Sequence, residues 1–199
     1  MSMDDRERPS SAESSHQVTV TVLFSGGIDS MVCAHLLMSQ GYGVNCLFVD
    51  YGQPAAAQEK KAAKLLVKSL PLASFVSCAA TPVSALSSGE IAGRNAFLIF
   101  SALTLAGVQR GVLAMGIHSG TPYYDCSSDF ARRISNLVEG YTDGCLQLLF
   151  PLIEWSKPEI VAYAHEHGLP VGRTYSCEAG TSSPCGKCFS CLDRRSIGC

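Results

Sequence analysis

Two groups of side chains in this sequence carry chemistry in their type and spacing. The first is Ser25-Gly26-Gly27-Ile28-Asp29-Ser30, where two glycines follow one hydroxyl and a carboxylate precedes another. Glycines let a backbone turn tightly and approach a ligand closely. Free N–H groups at a helix start, joined by the Ser25 and Ser30 hydroxyls, then cradle an anion. The lysine of the P-loop and the third glycine of the dinucleotide fingerprint are both missing, so this is a phosphate or pyrophosphate loop of another kind. An ordinary Gly-Gly turn with Asp29 as a helix-start acid is the plainer alternative. The second group is Cys177, Cys185, Cys188 and Cys191, the last three at every third position. Four thiolates at such spacing can close a tetrahedral zinc site with no open position, which braces a fold rather than catalyses. A C-x2-C-x2-C run also begins some iron–sulfur sites, and unrelated reduced thiols are the bland alternative. A lone run with one upstream cysteine fits zinc better.

These groups need elements to position them. Residues 17–24 (QVTVTVLF) read as a buried strand running into the glycine loop, and 31–40 as the helix that leaves it, stopped by Gly41. Further strands are expected at 44–50, 72–78, 112–117 and 146–152. Helices are expected at 55–70, 95–109, 128–141 and 157–167, with Pro158 in the first turn of the last. Residues 81–93 and 119–126 read as loops, as does everything after Gly168. Strands alternating with helices through connections too long for hairpins imply an α/β fold, a doubly wound five-stranded parallel sheet over residues 17–170. A C-terminal zinc-binding loop over 171–199 follows it. Residues 1–16, rich in Ser and charge and without periodicity, read as a disordered tail.

Composition bounds the function. The chain has 199 residues, 47% of them hydrophobic, a mean hydropathy of +0.18 and a net charge of −2. That is enough chain for one domain with its own core and a small appendage. The weak acidic balance argues against a sequence-independent grip on nucleic acid. No apolar run reaches the roughly 18 residues of a membrane span. The polar start has no secretory h-region, so a reducing, cytoplasmic setting is expected. There, ten cysteines point to metal or chemistry rather than to disulfides.

SGGIDS, between a strand and a helix, matches every fixed position of SGGxDS and resembles the PP-loop of the ATP pyrophosphatase superfamily, whose fold is adenine nucleotide alpha hydrolase-like. Together with the run PCGKCFSC at 184–191, it makes the chain resemble the QueC family, the 7-cyano-7-deazaguanine synthases of queuosine biosynthesis. The segments between agree. FVDYGQ at 48–53 is similar to that family's FDYGQ, and Gly93-Arg94-Asn95 with Phe97-Leu98 to its PGRNxxFL. YYDCSSDF at 123–130 is similar to GYPDCRPEF, PLIEWSKPEI at 151–160 to PLIHLSKAEI, and Tyr175-Ser176-Cys177 to TxSC.

The resemblance implies an ATP-dependent C–N ligase that adenylates 7-carboxy-7-deazaguanine, adds ammonia and dehydrates the amide to the nitrile. It implies ATP on Ser25, Gly26, Gly27, Asp29 and Ser30, Mg2+ held mostly by the phosphates, and Zn2+ on Cys177, Cys185, Cys188 and Cys191. Lys157 would neutralise phosphate, and is otherwise a solvated helix-start lysine. Arg94 could pair with phosphate or with the substrate carboxylate. Asp29, Ser30, Arg94 and Lys157 are thus the expected catalytic set. Asn95 joins Arg94 in binding substrate, or caps the following helix. Asp50 binds the nucleotide or a metal, or starts a turn. Asp125 could accept from the deazaguanine N–H edge while Tyr123 or Tyr124 stacks on the base; a turn acid with packing aromatics is the alternative. Cys126 reads as a packing thiol beside the site, His165 and His167 as surface residues. A homodimer is an assembly open to the family.

Three departures bear on the substrate. Pro54-Ala55-Ala56-Ala57 stands where the family has basic or imidazole side chains, Ser127-Ser128 replaces its Arg-Pro, and less chain follows the cysteine run. They keep two further readings open: a QueC-like ligase joining a deazaguanine or other acid to a protein amine, and a zinc-braced nucleotide-binding module without turnover.

Overall fold

The computed structural model describes residues 17–86, 89 and 91–198; the tail expected at 1–16 and part of the loop expected at 81–93 lie outside the described residues. Five strands, β1 (Thr19–Leu23), β2 (Gly43–Asp50), β3 (Ser74–Ala79), β4 (Gly111–Met115) and β5 (Leu146–Leu149), form one parallel sheet in the order β3-β2-β1-β4-β5. All four pairings are parallel, with Val20 opposite both Val44 and Val112. Among the described residues six α-helices accompany them: α1 (Ile28–Ser39), α2 (Ala56–Ser69), α3 (Arg94–Thr104), α4 (Ser128–Thr142), α5 (Lys157–Glu166) and α6 (Phe189–Ser196).

Strand side chains alternate between the two faces. Val20, Val22, Val44, Cys46 and Phe48 pack with α1, α2 and α5, while Leu23, Leu47, Val49, Leu113 and Met115 pack with α3 and α4. Because both faces are covered, the central strands read in sequence as continuous apolar runs rather than alternating ones. Cys33 and Cys46 belong to the first core, where burial pushes each thiol up to about 12. They are neutral fillers rather than reactive groups. Among the described residues no helix is long and apolar enough to cross a membrane.

The strand order fixes where a ligand can sit. From β1 the chain moves outward through β2 and β3, then crosses back to place β4 on the other side of β1. The connections leaving β1 and β4 therefore part in opposite directions, and a crevice opens at their carboxyl ends. The glycine loop leaves β1 there. Gly26 adopts φ +83°, and a Cβ on it would lie 2.6 Å from the Ala63 nitrogen and 2.8 Å from the Glu59 oxygen of α2. Only glycine allows α2 to back the loop so closely. Gly26→Ala is expected to cost about 1–3 kcal/mol, read by chemical denaturation.

Three expected boundaries are corrected. The third helix, expected over 95–109, ends at Thr104: Gly107 has φ +69° and the Val108 N–H turns back to the Ala102 carbonyl at 3.0 Å. The fifth strand, expected to reach 152, stops at Leu149. Pro151 has no N–H for a ladder, and the chain turns there, with the Ile153 N–H on the Phe150 carbonyl at 3.1 Å. The stretch after Gly168, expected as loop, contains α6 and a short 3-10 turn at Val171–Arg173.

Candidate active site

The glycine loop ends at Gly27, which starts α1 with no side chain capping it. Its geometry is held from within. The Ser30 hydroxyl donates to the Gly27 carbonyl at 3.0 Å, and the Ser25 hydroxyl accepts from the Gly27 N–H at 3.3 Å. Tyr175 donates its N–H to the Gly26 carbonyl at 3.0 Å, so the cysteine-bearing segment clamps the loop from outside. The first-turn N–H groups of α1 and the positive end of its dipole are thus presented to the crevice.

Lys157 opens α5, 128 residues further on, and its Nζ donates to Asp29 Oδ1 at 2.6 Å. The pair is half-buried, at 16% and 32% side-chain exposure. It places a cation at the mouth of the glycine loop. The start of α5 is rigid because the Glu159 carboxylate accepts both the N–H and the hydroxyl of Ser156, each at 2.7 Å.

A cavity of about 300 Å3 lies beside this pair. Ser25, Gly27, Asp29, Ser30 and Lys157 line it together with Arg94, Asn95, Tyr123 and Asp125. Eight of the ten nucleotide- and substrate-binding residues expected from sequence, Ser25, Gly27, Asp29, Ser30, Arg94, Asn95, Tyr123 and Asp125, therefore share one cavity with Lys157. Gly26 shapes the loop from behind. Asp50 stands apart: its Oδ1 accepts from the Gly52 N–H at 3.1 Å and it does not line the cavity. Of the two tyrosines, Tyr123 lines the cavity edge-on to Phe189 of α6 at 6.3 Å, while Tyr124 packs outside on Phe130 at 5.9 Å.

Asn95 is 2% exposed. Its N–H donates to Asp125 Oδ2 at 3.1 Å and its Nδ2 to the Asp125 carbonyl at 2.9 Å. It pins the start of α3 to the turn Tyr124–Cys126; among the described residues Asp125 Oδ1 has the Cys126 thiol, at 4.0 Å, as its hydrogen-bonding neighbour. Asn95→Ala leaves that carbonyl unpaired and is expected to cost about 1–3 kcal/mol in urea denaturation. Burial raises the Cys126 thiol above its ordinary value, which suits packing rather than nucleophilic attack.

Several cavity residues escaped sequence reasoning. Glu59 of α2 accepts from Gln53 Nε2 at 2.8 Å, and Gln53 Oε1 accepts from the Tyr51 N–H at 2.9 Å. Burial raises the Glu59 carboxyl, opposed by the Gln53 hydrogen bond and by Arg94 nearby. Burial also raises the Tyr51 hydroxyl, beside which the Arg94 guanidinium lies. His118, just past β4, is 5% exposed and lines the cavity. Gln53 sat inside a quoted motif, but nothing linked it to Glu59. A lone histidine after an apolar strand carries no spacing signal at all.

The sulfurs of Cys177, Cys185, Cys188 and Cys191 all lie within 4.8 Å of one another, with Cys185 and Cys191 at 3.9 Å. Four thiolates about 2.3 Å from one ion stand about 3.8 Å apart, so the set fits a single tetrahedral metal. Backbone N–H groups point at the sulfurs: Cys185 to Cys177 at 3.3 Å, and Lys187 and Cys188 to Cys185, both at 3.4 Å. Burial opposes ionisation of Cys177, but the Cys185 N–H and the Thr181 hydroxyl outweigh it and bring the thiol down to about 5. The Lys187 and Cys188 N–H groups lower Cys185 as well. Burial pushes the Cys191 thiol the other way, up to about 12, so Cys177 and Cys185 are the donors readied as thiolates.

The cysteine segment also builds cavity wall. Glu178 Oε1 accepts the Ser190 N–H at 3.1 Å and its hydroxyl at 2.8 Å, satisfying the first turn of α6. Arg194 donates to Thr174 Oγ1 at 3.0 Å and to the Val171 carbonyl at 3.3 Å. Phe189, Ser190 and Asp193 then face the cavity from α6.

A doubly wound parallel sheet, an SGGxDS loop at its switch point and a late-helix lysine ion-paired to that loop define a PP-loop α/β protein. The family model described as "Queuosine biosynthesis protein QueC" matches residues 19–87 and 76–197. The chain belongs to the QueC family. It is 34% identical to a 7-cyano-7-deazaguanine synthase of Synechococcus sp. (strain CC9605), over 89% of this chain and 91% of that protein. It is 30% identical to the synthase of Rhizobium etli, over 87% of this chain and 84% of that protein. Among solved structures, a U34-tRNA thiolase from Methanococcus maripaludis with its [4Fe-4S] cluster shares the fold at a TM-score of 0.56 and 16% identity, covering 91% of this chain and 64% of that one.

Proposed function

We propose that the protein uses ATP to activate a carboxylate for attack by an amine, the acid being 7-carboxy-7-deazaguanine, the amine ammonia and the product 7-cyano-7-deazaguanine. The observation that supports this reading most is the sharing of one cavity by the Asp29–Lys157 loop mouth and the Arg94–Asp125–Tyr123 wall. The names of the relatives supply the product, 7-cyano-7-deazaguanine, and the acid is the one that the family resemblance implies.

A carboxylate resists amines because its charge repels them and it has no good leaving group. Its attack on the α-phosphorus of ATP forms an acyl adenylate and releases pyrophosphate. Ammonia then displaces AMP, losing a proton and leaving the amide. A second ATP adenylates the amide oxygen, and departure of AMP with loss of the amide protons leaves the nitrile. In this reading Ser25, Gly27, Ser30 and the α1 N–H groups hold the phosphates, whose charge Mg2+ would help to neutralise. Lys157 neutralises the charge that gathers on the leaving pyrophosphate, and Asp29 aims it. Arg94 grips the substrate carboxylate, its fork suited to two oxygens. Asp125 Oδ1 accepts from the heterocycle's N–H edge and Tyr123 stacks on its face. Asp50 shapes its own turn. Zn2+ on Cys177, Cys185, Cys188 and Cys191 would have four thiolate ligands and no open position, so its contribution is to brace α6 against the loop.

The test is mass spectrometry of protein incubated with ATP, magnesium, ammonia and 7-carboxy-7-deazaguanine. A nitrile product is expected. Amide without nitrile, or a mass gain on a protein amine, replaces the proposal with the ligase reading. No ATP consumption by metal-loaded, folded protein replaces it with a binding module.

A further inference from the structure

His118 follows β4 at the switch point, at the crevice lip opposite the glycine loop. Its ring is almost fully buried, yet its Nδ1 is sealed from solvent without any hydrogen-bond partner. Gly120 closes over that edge: a Cβ there would lie 2.9 Å from Nδ1. The other nitrogen, Nε2, is not sealed in this way, and His118 is one of the residues that line the cavity. Three charged groups face the ring, Asp29 from α1, Lys157 from α5 and Asp193 from α6.

These facts decide the protonation of the ring. An imidazolium carries a proton on both nitrogens, and one on Nδ1 would have nothing to accept it. A buried unpaired donor costs more than a buried unpaired lone pair, so the proton of the neutral ring belongs on Nε2. Burial pulls the imidazole further from the charged form, with Lys157 adding to it and the two aspartates opposing. The result is a neutral ring with one N–H aimed at the cavity beside the Asp29–Lys157 pair.

We propose that His118 is a catalytic hydrogen-bond donor, its Nε2–H directed to the oxygen that gains negative charge when the amine attacks the activated acyl carbon. The proposal rests on the carboxylate-activating reading above. It assigns His118 no proton transfer: the N–H stays on the ring, and the proton lost by the amine leaves by another route. A preorganised donor of this kind in a water-poor cavity is worth about 10²–10³-fold in kcat.

The experiment compares wild type, His118→Leu and His118→Gln by substrate-dependent ATP–pyrophosphate exchange and by amide formation. The Gln side chain can place an N–H near the position of Nε2–H but cannot act as a base. His118→Leu is expected to lose about 10²–10³-fold in amide formation while keeping KM for ATP, and His118→Gln to stay within about tenfold of wild type. The pH profiles of wild type and His118→Gln should run parallel between about pH 6 and 8, where a titrating histidine would bend the first alone. A Gln variant as inactive as the Leu variant, with both melting like wild type, overturns the donor role in favour of a base. Full activity in His118→Leu overturns any role for the ring. A wild type without acid-dependent exchange overturns the underlying reading instead, and the proposal with it.

Discussion

Asp29→Asn is expected to cut ATP turnover by about 10²–10³-fold while the sheet melts almost as before. Asp29 is half-exposed in the first turn of α1, so its stability contribution is screened. Its functional contribution is not, because Lys157 depends on it. Lys157 is a flexible point charge, and Asp29 Oδ1 at 2.6 Å is its one hydrogen-bonding partner among the described residues. An amide accepts a weaker hydrogen bond and carries no charge, so the ammonium would drift from the mouth of the glycine loop. The measurement is ATP–pyrophosphate exchange on the variant, on Lys157→Met and on the double variant. Residues acting as one unit give a double variant little worse than the worst single one. Near-wild-type exchange in Asp29→Asn, or fully additive losses, would refute the clamp.

Cys188→Ser is expected to remove the bound metal and, with it, activity. Four thiolates share the ion proposed here, and binding of a structural zinc by small domains is worth about 10–16 kcal/mol at neutral pH. That rivals the stability of a whole domain, about 5–15 kcal/mol. The segment 171–198 has little core of its own; Val171, Cys177 and Cys191 are its buried apolar residues among those described. Without the ion, Cys188 no longer anchors the start of α6, and the Glu178 and Arg194 contacts lose their frame. Metal analysis and limited proteolysis read the outcome. Unchanged metal content, or an unchanged cleavage pattern in the C-terminal segment, would sink the assignment. Chelation of the wild type should reproduce the proteolysis and be reversed by metal.

The legible part of this molecule was local. β1, the glycine loop and α1 are contiguous, so strand, turn and helix signals meet within a few residues. The cysteines announce themselves by spacing. Long-range pairing was not legible in the same way: Asp29 and Lys157 each looked like a helix-start residue, and the fold brings them together across 128 positions. Asn95 looked like a cap or a ligand, and the reverse relation holds, since the Asp125 carboxylate receives the Asn95 N–H in the first turn of α3. α6 was invisible because LDRRS has no apolar stripe, and its first turn is satisfied from a distance by Glu178. α3 was read too long because Leu105, Ala106 and Val108 are apolar; Ala106 and Val108 turn back onto the core instead of continuing the helix, and Leu105 is left exposed. His118 had no pattern to betray it, only a position that the strand order reveals.

The clamp of Tyr175 on Gly26 has a consequence for how the molecule comes into being. The ribosome delivers the glycine loop early and the segment that clamps it late. β1, at the middle of the sheet, must wait for β4 before its second edge is paired, and the loop must wait longer still for the Tyr175 N–H. A half-made chain therefore offers nucleotide an open, unbraced turn. The loop is braced only once the segment carrying Tyr175 has folded against it. The brace on the glycine loop is thus among the last long-range contacts of this chain that synthesis can complete.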